Sequence, residues 1–446
     1  MRVFPDGFIW GAATASYQVE GGSKEGGRGQ SIWDTFAATP GKVVSGDTGE
    51  EACDHYHRYG SDVALMRDLG LRAYRFSVAW PRIQADGRGP ANPAGLAFYD
   101  RLVDELLEAG ITPYSTLYHW DLPQALEDEG GWTNRDTAYR FAEYAALVHQ
   151  RLGDRVEHWT TLNEPWVSAF LGYGSGVHAP GRRDGDAALL AAHHLMLGHG
   201  LATKALRAAG AKQIMLVLNT APVMTPAQVN DPGAPVSAAD AAAIDRVDIM
   251  VTRRFLDPVL LGSYPTDEGH PDGDLEIINQ PIDMLGVNYY NPIVVEAAPG
   301  EPADPAYPGS HDIAFRRADA PVTAMDWPIV PSAFSRHLVR LARDYPTVPF
   351  MITENGAAFD DAVENGRVHD LDRQDYLSGH LRAVHDALEQ GVDLRGYLVW
   401  SLLDNFEWAE GYRRRFGIVH VDFSTQIRTL KDSARWYRDV ISSNSV

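Results

Sequence analysis

The strongest constraint in this sequence is an alternation of short apolar runs with helix-like stretches along its whole length. Eight runs have the length of buried strands, at residues 8–13, 73–80, 112–117, 156–162, 214–218, 283–287, 350–353 and 396–400. Between them, apolar residues recur at helical spacing, as Leu96, Tyr99 and Val103 do before Gly110. Eight such units without a break in composition predict an α/β fold, a single (β/α)8 TIM barrel over residues 1–446.

Two glycine features could have indicated a different fold. The G-x-G-x-x-G pattern that an open dinucleotide-binding sheet requires does not follow the first apolar run, and no G-K-[ST] follows the glycine-rich segment 21–29. That segment is therefore interpreted as a loop. Irregular stretches at 222–239, 264–280 and 297–328 are too long for simple connections, so we expect loop insertions at the C-terminal face of the barrel.

Charge and cysteine content exclude several classes of partner. Lys and Arg total 39 against 60 Asp and Glu, a net charge of −21, which opposes binding to nucleic acid or to an anionic membrane. The single cysteine, Cys53, cannot form an internal disulfide, and residues 1–11 lack the apolar core of a secretory signal. We therefore expect a protein of the cytoplasm; the sequence leaves its oligomeric state open.

Polar and aromatic residues follow nearly every apolar run. Because barrel enzymes build their sites from the C-terminal strand ends, these side chains should form one ring. The ring comprises Gln18, Arg75, His119, Trp120, Asn163, Glu164, Asn219, Asn288, Tyr290, Glu354, Asn355, Trp400, Glu407 and Trp408.

Two acids of this ring, Glu164 and Glu354, end the fourth and seventh runs. An isolated strand-end glutamate more often pairs with an arginine, but two that face each other can flank a bond from opposite sides. Glycoside hydrolysis needs such a pair, one acid to protonate the leaving oxygen and one carboxylate to attack or to activate water. The surrounding Trp, Tyr, His and Asn suit a sugar, whose apolar C–H face stacks on aromatic rings while its hydroxyls need fixed donors and acceptors.

Four sequence blocks carry a family resemblance. They are Phe-Ile-Trp-Gly-Ala-Ala-Thr-Ala-Ser-Tyr-Gln at 8–18, Tyr-His-Trp-Asp-Leu-Pro at 118–123, Thr-Leu-Asn-Glu-Pro at 161–165 and Ile-Thr-Glu-Asn-Gly at 352–356. The chain resembles glycoside hydrolase family one, the β-glucosidase family, over essentially its whole length. The resemblance implies a retaining mechanism on a small β-glucoside or oligosaccharide, with no cofactor and no metal ion.

The resemblance also implies the catalytic roles. Glu354 resembles the nucleophile, held and kept ionised by Arg75 and Tyr290. Glu164 resembles the acid/base, whose pKa we expect repulsion from Glu354 to raise. Asn288 is placed with these catalytic residues.

The resemblance also implies which residues bind the sugar. Asn163 resembles the donor to the 2-hydroxyl and Trp400 the aromatic floor under the sugar, with a cis Trp400–Ser401 peptide expected. Further glycone contacts are expected from Gln18, His119, Trp120, Glu407 and Trp408. The aglycone mouth is expected at Trp166, Trp327 and Phe416.

Glu407 bears on the choice of sugar. Relatives that cleave 6-phosphorylated sugars lack a carboxylate here because it would repel the phosphate. An unphosphorylated glycone, most simply glucose, is therefore predicted, with galactose or fucose left open. A non-catalytic sugar-binding protein is the other alternative, and the presence of both Glu164 and Glu354 argues against it. A metal site at His55 and His57 is disfavoured because i and i+2 side chains on a helix point apart.

Overall fold

The eight predicted runs form one closed parallel barrel in the computed structural model, which describes residues 2–266 and 269–446. Asp267 and Glu268, within the predicted 264–280 stretch, lie outside the described residues, as does Met1. The strands are β1 (Ile9–Ala13), β2 (Ala73–Ser77), β3 (Thr112–Tyr118), β4 (His158–Asn163), β5 (Gln213–Asn219), β6 (Met284–Asn288), β7 (Phe350–Asn355) and β8 (Leu394–Trp400). The barrel prediction is confirmed. The second strand ends earlier than the apolar run because a short helix, Trp80–Ile83, begins there with Pro81 in its first turn.

Neighbouring strands follow chain order, and β8 closes the barrel against β1. The closing register pairs Ile9 with Gly396 and Ala13 with Trp400. All eight strands are parallel, so their carboxyl ends lie on one face. The residues that follow the strands therefore meet there, as the strand-end pattern predicted.

A long helix follows each strand. These helices are α1 (His55–Asp68), α2 (Pro93–Glu108), α3 (Asp136–Leu152), α4 (Gly185–Ala208), α5 (Ala238–Asp248), α6 (Pro331–Asp344), α7 (Leu371–Glu389) and α8 (Asp432–Ser443). Helix α2 illustrates the local signals that form these helices. The Asn92 side chain caps its N-terminus by accepting from Ala94 N, and its apolar stripe of Phe98, Leu102 and Leu106 is buried. Gly110 follows with φ of 73°, a left-handed conformation that glycine adopts readily.

Shorter elements decorate the barrel. The α-helices among them are Ser16–Val19, Ile32–Ala38, Gln124–Glu127, Pro226–Asn230, Arg254–Leu256 and Asp274–Ile278. One-turn 3₁₀ segments lie at Val44–Gly46, Gly131–Thr133 and Trp408–Glu410, and π-helical segments at Val167–Gly174, Ile249–Arg253 and Asp257–Leu261. Two antiparallel pairs join Val363–Glu364 to Arg367–Val368 and Val419–Asp422 to Ile427–Leu430.

The predicted insertions fold against one another. Strands Val223–Met224, Ile293–Ala297 and Ile313–Phe315 form a small sheet that ties the 222–239 and 297–328 stretches together. The helix Asp274–Ile278 instead lies against α4, so close that a Cβ on Gly200 would be 2.0 Å from the Ile277 carbonyl oxygen.

The chain ends meet. Arg2 N donates to the Val446 carbonyl over 2.7 Å, and Val446 N returns a bond to Arg2 over 3.0 Å. Phe4 packs on Trp10 at the start of β1 and on His385 near the end of α7. The two ends therefore lie on the face opposite the carboxyl ends of the strands. None of the helices in the described part of the chain has the length and apolar character needed to cross a bilayer.

Candidate active site

A cavity of about 450 Å³ opens at the carboxyl ends of the barrel strands. Of the seventeen residues predicted for the site, thirteen line it: His119, Trp120, Glu164, Trp166, Asn219, Asn288, Tyr290, Trp327, Glu354, Trp400, Glu407, Trp408 and Phe416. Gln18, Arg75 and Asn163 are buried and bond to residues of its wall. Asn355 is also buried, but its amide donates to the Tyr289 carbonyl over 2.7 Å and it does not line the cavity. The structure therefore brings sixteen of the seventeen predicted residues together.

Glu354, at the end of β7, has a partner on each carboxylate oxygen. Arg75 donates from Nη1 to Oε1 over 2.7 Å, and the Tyr290 hydroxyl donates to Oε2 over 2.7 Å. Arg75 on β2 is itself oriented by Thr116, which accepts from Nε over 3.0 Å. These donors fix the carboxylate in one orientation.

Glu164 follows β4 in a left-handed backbone conformation, with φ of 47°. This conformation strains a residue with a side chain, and such strain is typical of functional sites. Asn288 Nδ2 donates to Glu164 Oε1 over 2.6 Å, while the Thr353 hydroxyl donates to Asn288 Oδ1 over 2.7 Å. The orientation of the Asn288 amide is thus set by Thr353.

Asn163 connects the two acids. Its Oδ1 accepts from Arg75 Nη2 over 2.6 Å and from Asn288 Nδ2 over 3.1 Å. Arg75 binds Glu354 and Asn288 binds Glu164, so the carboxyl groups terminate one buried hydrogen-bonded chain.

The raised pKa of Glu164 has a different main cause from the predicted one. Burial raises the pKa of Glu164 well above its usual range, and repulsion from Glu354 is the second contribution. Burial also raises the pKa of Glu354, a contribution that the expected roles of Arg75 and Tyr290 did not include. Arg75 and Tyr290 oppose that rise, which leaves Glu164 the acid that holds its proton more tightly.

His119 and Trp120 follow β3 and both contact Asn163. His119 Nε2 lies 3.1 Å from Asn163 Nδ2, and Trp120 Nε1 donates to the Asn163 carbonyl over 3.0 Å. An Nε2 that accepts from the amide places the imidazole hydrogen on Nδ1, which has no partner among the described residues. Burial, helped by Arg75, lowers the pKa of His119 well below its usual range, so the ring is neutral. Trp120 also lines the cavity, and its N–H is already used within the protein.

Glu407, in the cavity wall, lies beside Gln18. Gln18 Nε2 is 3.4 Å from Glu407 Oε2 and donates to the Phe406 carbonyl over 2.9 Å. Gln18 Oε1 is buried without a partner among the described residues, which leaves an acceptor for a ligand. Burial, followed by repulsion from Glu354 and Glu410, raises the pKa of Glu407 to about 8.

Aromatic rings line much of the remaining wall. Trp120 and Trp408 have ring centroids 4.5 Å apart, and Trp400 continues into a cis peptide with Ser401, as expected. A Cβ on Gly356 would lie 1.7 Å from the Trp400 carbonyl oxygen. Only glycine fits there, which explains the glycine two residues after Glu354.

The mouth of the cavity is also aromatic. Trp327 lies 5.3 Å from Tyr290 and 5.9 Å from Phe416 between ring centroids. Trp166 faces Tyr307 at 5.2 Å, and its indole nitrogen has no partner within the described residues. The three side chains expected at the mouth, Trp166, Trp327 and Phe416, all line the cavity.

Thirteen residues of the cavity wall were not predicted from the sequence. These are Val167, Leu171, Val177, His178, Thr220, Ala221, Val251, Asn291, Ile293, Tyr307, Met325, Ala409 and Glu410. Most lie in loops without a periodic or motif signal. Tyr307 and Met325 had one usable signal, the length of the 297–328 stretch, which predicts an insertion at the mouth but not which side chain points inward.

The segment that carries Glu407, Trp408 and Phe416 is closed by a buried charge cluster. Asp404 accepts from Gly417 N over 3.0 Å, from Lys431 Nζ over 2.7 Å and from Arg415 Nη1 over 2.7 Å. Lys431 also binds Asp361, and all three charges of this Lys–Asp–Asp group are buried. The cluster joins both ends of the 404–417 segment.

Potential metal ligands lie elsewhere. Within the described residues, His385, Asp386 and Glu389 on α7 could together offer ligand atoms within 4.8 Å of one another. They are not part of the cavity wall, and Asp386 already pairs with Arg2 over 2.6 Å. His55 and His57, the pair considered above, instead face Asp62 and Asp54.

Comparison with known proteins identifies close relatives. The family model described as glycosyl hydrolase family 1 matches residues 1–446. Thermostable beta-glucosidase B of Thermobispora bispora is 58% identical over 454 residues, covering 99% of this chain and 91% of the relative. A bifunctional beta-D-glucosidase/beta-D-fucosidase of Bifidobacterium breve is 48% identical over 470 residues, covering 99% of each chain. The crystal structure of the psychrophilic beta-glucosidase BglU of Micrococcus antarcticus superposes with a TM-score of 0.93 at 50% identity, covering 100% of this chain and 98% of that one.

Proposed function

This chain belongs to glycosyl hydrolase family 1, and on that premise we propose that it is a retaining β-glucosidase. It removes terminal non-reducing β-D-glucosyl residues from aryl or alkyl β-glucosides and from cello-oligosaccharides. The observation that carries the proposal is the placement of Glu164 and Glu354 at the two ends of one buried hydrogen-bonded chain in the cavity.

In the first half-reaction Glu354 is the nucleophile. Its carboxylate attacks the anomeric carbon while Glu164 donates its proton to the glycosidic oxygen, so the C–O bond breaks and the alcohol leaves. The unequal pKa values support this division, because Glu164 holds its proton more tightly than Glu354 does. The product is a glycosyl ester on Glu354.

In the second half-reaction Glu164 is the base. Esterification removes the charge of Glu354, and with it the repulsion that helps to raise the pKa of Glu164. Glu164 then takes a proton from water as the water oxygen attacks the anomeric carbon. The ester breaks, glucose leaves with its original configuration, and both acids return to their starting protonation.

The remaining residues bind the glucosyl unit. Asn163 faces the 2-hydroxyl, a contact that strengthens as positive charge develops at the anomeric carbon. Trp400 supplies the surface under the sugar. The unpartnered polar atoms of Gln18 and His119 supply an acceptor and a donor for hydroxyls, beside Glu407 and Trp408.

Glucose is the proposed glycone, with fucose as the second candidate. Glu407 disfavours a 6-phosphorylated sugar because its carboxylate, once ionised, would repel the phosphate. A relative that is 48% identical is described as acting on both β-D-glucosides and β-D-fucosides, which favours activity on fucosides here as well. Galactosides and a non-catalytic sugar-binding role remain the alternatives to be tested.

Residues 1–446 act as one catalytic domain, and release of glucose from cello-oligosaccharides would be the last step of cellulose degradation. The cytoplasmic location predicted from the single cysteine stays a prediction that cell fractionation can check.

Two measurements test the proposed function. Proton NMR during cleavage of p-nitrophenyl β-glucoside should show β-glucose first, with the α-anomer appearing only by mutarotation; initial α-glucose would contradict retention. Values of kcat/KM on the p-nitrophenyl β-glucoside, β-fucoside and β-galactoside then rank the glycones. If none of the three is cleaved, the sugar-binding alternative is favoured.

A further inference from the structure

Asn355 follows the proposed nucleophile directly in the chain, but its side chain does not reach the cavity. Because successive side chains along a strand point to opposite faces, Asn355 is directed away from the cavity that Glu354 lines. The Asn355 side chain is fully buried. A buried amide needs a partner for its donor and for its acceptor, so the partners of Asn355 indicate its role.

The Asn355 amide connects three elements of the barrel. Its Nδ2 donates to the Tyr289 carbonyl over 2.7 Å and to the Tyr376 hydroxyl over 3.2 Å, while its Oδ1 accepts from the Tyr397 hydroxyl over 2.7 Å. Tyr289 follows β6, Tyr376 lies on α7 and Tyr397 lies on β8. One side chain beside Glu354 therefore uses both its donor and its acceptor to join the segment after β6 to α7 and β8.

Tyr376 extends this network to Tyr290. The Tyr376 hydroxyl donates to the Tyr290 carbonyl over 3.0 Å, and Tyr289 N donates to the Glu354 carbonyl over 2.9 Å. The backbone that carries the Tyr290 side chain is thus bonded both to α7 and to the backbone of Glu354. Because the Tyr290 hydroxyl donates to Glu354 Oε2 over 2.7 Å, the position of this backbone decides how well that hydrogen bond forms.

Ring packing holds the two supporting tyrosines in place. Tyr376 stacks on His380 of the same helix with ring centroids 3.9 Å apart, and Tyr289 stacks on Phe334 of α6 at 4.1 Å. His380 Nδ1 also lies 2.8 Å from the Tyr376 carbonyl oxygen. Since these contacts do not involve the Tyr376 hydroxyl, a phenylalanine at this position should keep the ring where it is.

We propose that Asn355 and Tyr376 are positioning residues that act through Tyr290 to hold the Glu354 carboxylate for attack on the anomeric carbon. The inference rests on the proposed function, in which Glu354 is the nucleophile. Neither Asn355 nor Tyr376 lines the cavity, so neither contacts the sugar. If they no longer fix Tyr290, the hydrogen bond that opposes the burial-induced rise in the pKa of Glu354 weakens.

The experiment measures kcat/KM for p-nitrophenyl β-glucoside against pH in the wild type, Tyr376→Phe and Tyr144→Phe. Tyr144 is a matched control, a buried tyrosine of α3 whose hydroxyl donates to the Val78 carbonyl over 2.9 Å and which does not line the cavity. Tyr376→Phe should lower the optimal kcat/KM about 5- to 10-fold, the value of one hydrogen bond. Its acid limb should move to higher pH, because Glu354 must be ionised to attack. Tyr144→Phe should match the wild type in both respects.

A double variant tests whether Tyr376 acts through Tyr290. Tyr290→Phe removes the hydrogen bond to Glu354 itself, so adding Tyr376→Phe should lower kcat/KM less than about 2-fold further and leave the acid limb where Tyr290→Phe puts it. Losses that multiply in full would overturn the proposal. The other charged groups that face Glu354 are the same in all these proteins: Arg75, Glu164 and Glu407.

Asn355→Ala removes the amide, and its acid limb should move in the same direction as that of Tyr376→Phe. If Asn355→Ala does not fold, Tyr376→Phe and the double variant still decide the question. An acid limb at the wild-type pH in folded Tyr376→Phe, whatever its kcat/KM, would overturn the positioning proposal alone. A wild type that cleaves no aryl β-glucoside would overturn the proposed function itself.

Discussion

Arg75 donates a hydrogen bond from Nη1 to Oε1 of Glu354 over 2.7 Å, and both side chains are buried. A buried cation beside a buried carboxylate stabilises the ionised form of the acid. The contact opposes the pKa rise that burial imposes on Glu354. It therefore distinguishes Glu354 from Glu164, whose carboxyl oxygen faces the neutral amide of Asn288.

The first prediction concerns the nucleophile. Glu354→Ala should lower kcat for aryl β-glucosides by at least about 10⁴-fold, because no covalent intermediate can form. Azide, a small anion that fits the vacated space, should restore turnover and yield the α-glucosyl azide, detected by NMR. The control is Glu364→Ala, which changes an exposed glutamate and should act like the wild type. Wild-type turnover by Glu354→Ala without azide would refute the assignment.

The second prediction concerns the acid/base and pH. Glu164 must be protonated to donate, so kcat/KM should fall as pH rises through its pKa, which burial and Glu354 hold above the usual range. Glu164→Gln should abolish this alkaline decline and lower kcat/KM by about 10²- to 10⁴-fold for cellobiose, whose leaving group needs a proton. The loss in kcat/KM should be small for 2,4-dinitrophenyl β-glucoside, although kcat should fall on both substrates because Glu164 is also the base of the second half-reaction. Equal losses in kcat/KM on the two substrates would argue against proton donation.

The third prediction links Glu407 to stability. The pKa of Glu407 is about 8 in the folded protein, against about 4.3 in an unfolded chain. Between these pH values Glu407 is therefore protonated in the folded protein and ionised in the unfolded chain. The free energy of unfolding should therefore fall as pH rises from about 5 to about 8, relative to Glu407→Gln, by on the order of 1 kcal/mol after allowance for solvent in the cavity. Urea titrations at several pH values measure the difference. Glu364→Gln should show no such dependence, and a pH-independent difference for Glu407→Gln would contradict the prediction.

The fourth prediction concerns Lys431. Lys431→Met removes the cation between Asp361 and Asp404 and leaves buried negative charge, which should cost about 3 kcal/mol in the free energy of unfolding. Because Asp404 closes the segment that carries Glu407 and Trp408, kcat/KM for glucosides should also fall. Lys212→Met, which breaks an exposed pair with Glu157, should change stability by no more than about 0.5 kcal/mol. Equal losses in the free energy of unfolding for the two variants would show that the buried cluster stabilises the fold no more than an exposed ion pair does.

The barrel and the residues around Glu164 and Glu354 could be predicted from the sequence because both depend on local signals. Strand-length apolar runs and helical stripes fix the element order, and parallel strands bring whatever follows them to one face. Glu164 and Glu354 are recognisable for this reason although β4 and β7 are far apart in the chain.

Other features depend on distances that no local pattern encodes. Asp404 and Lys431 meet only after the segment between them folds back, so neither residue appeared in the sequence analysis. The main cause of the raised pKa of Glu164 was missed because burial depends on how completely loops exclude water. The places of Tyr307 and Met325 in the cavity wall depend on how the 297–328 stretch packs, which its length alone does not determine.

The pairing of Arg2 with Val446 makes the chain nearly circular. A purification tag or a fused domain at either end emerges on the side of the barrel away from substrate entry, so tethering to a support through either terminus leaves the cavity open. The same geometry suits circular permutation. A short linker can join the two ends, and new termini can be opened in an exposed connection that contributes no residue to the cavity.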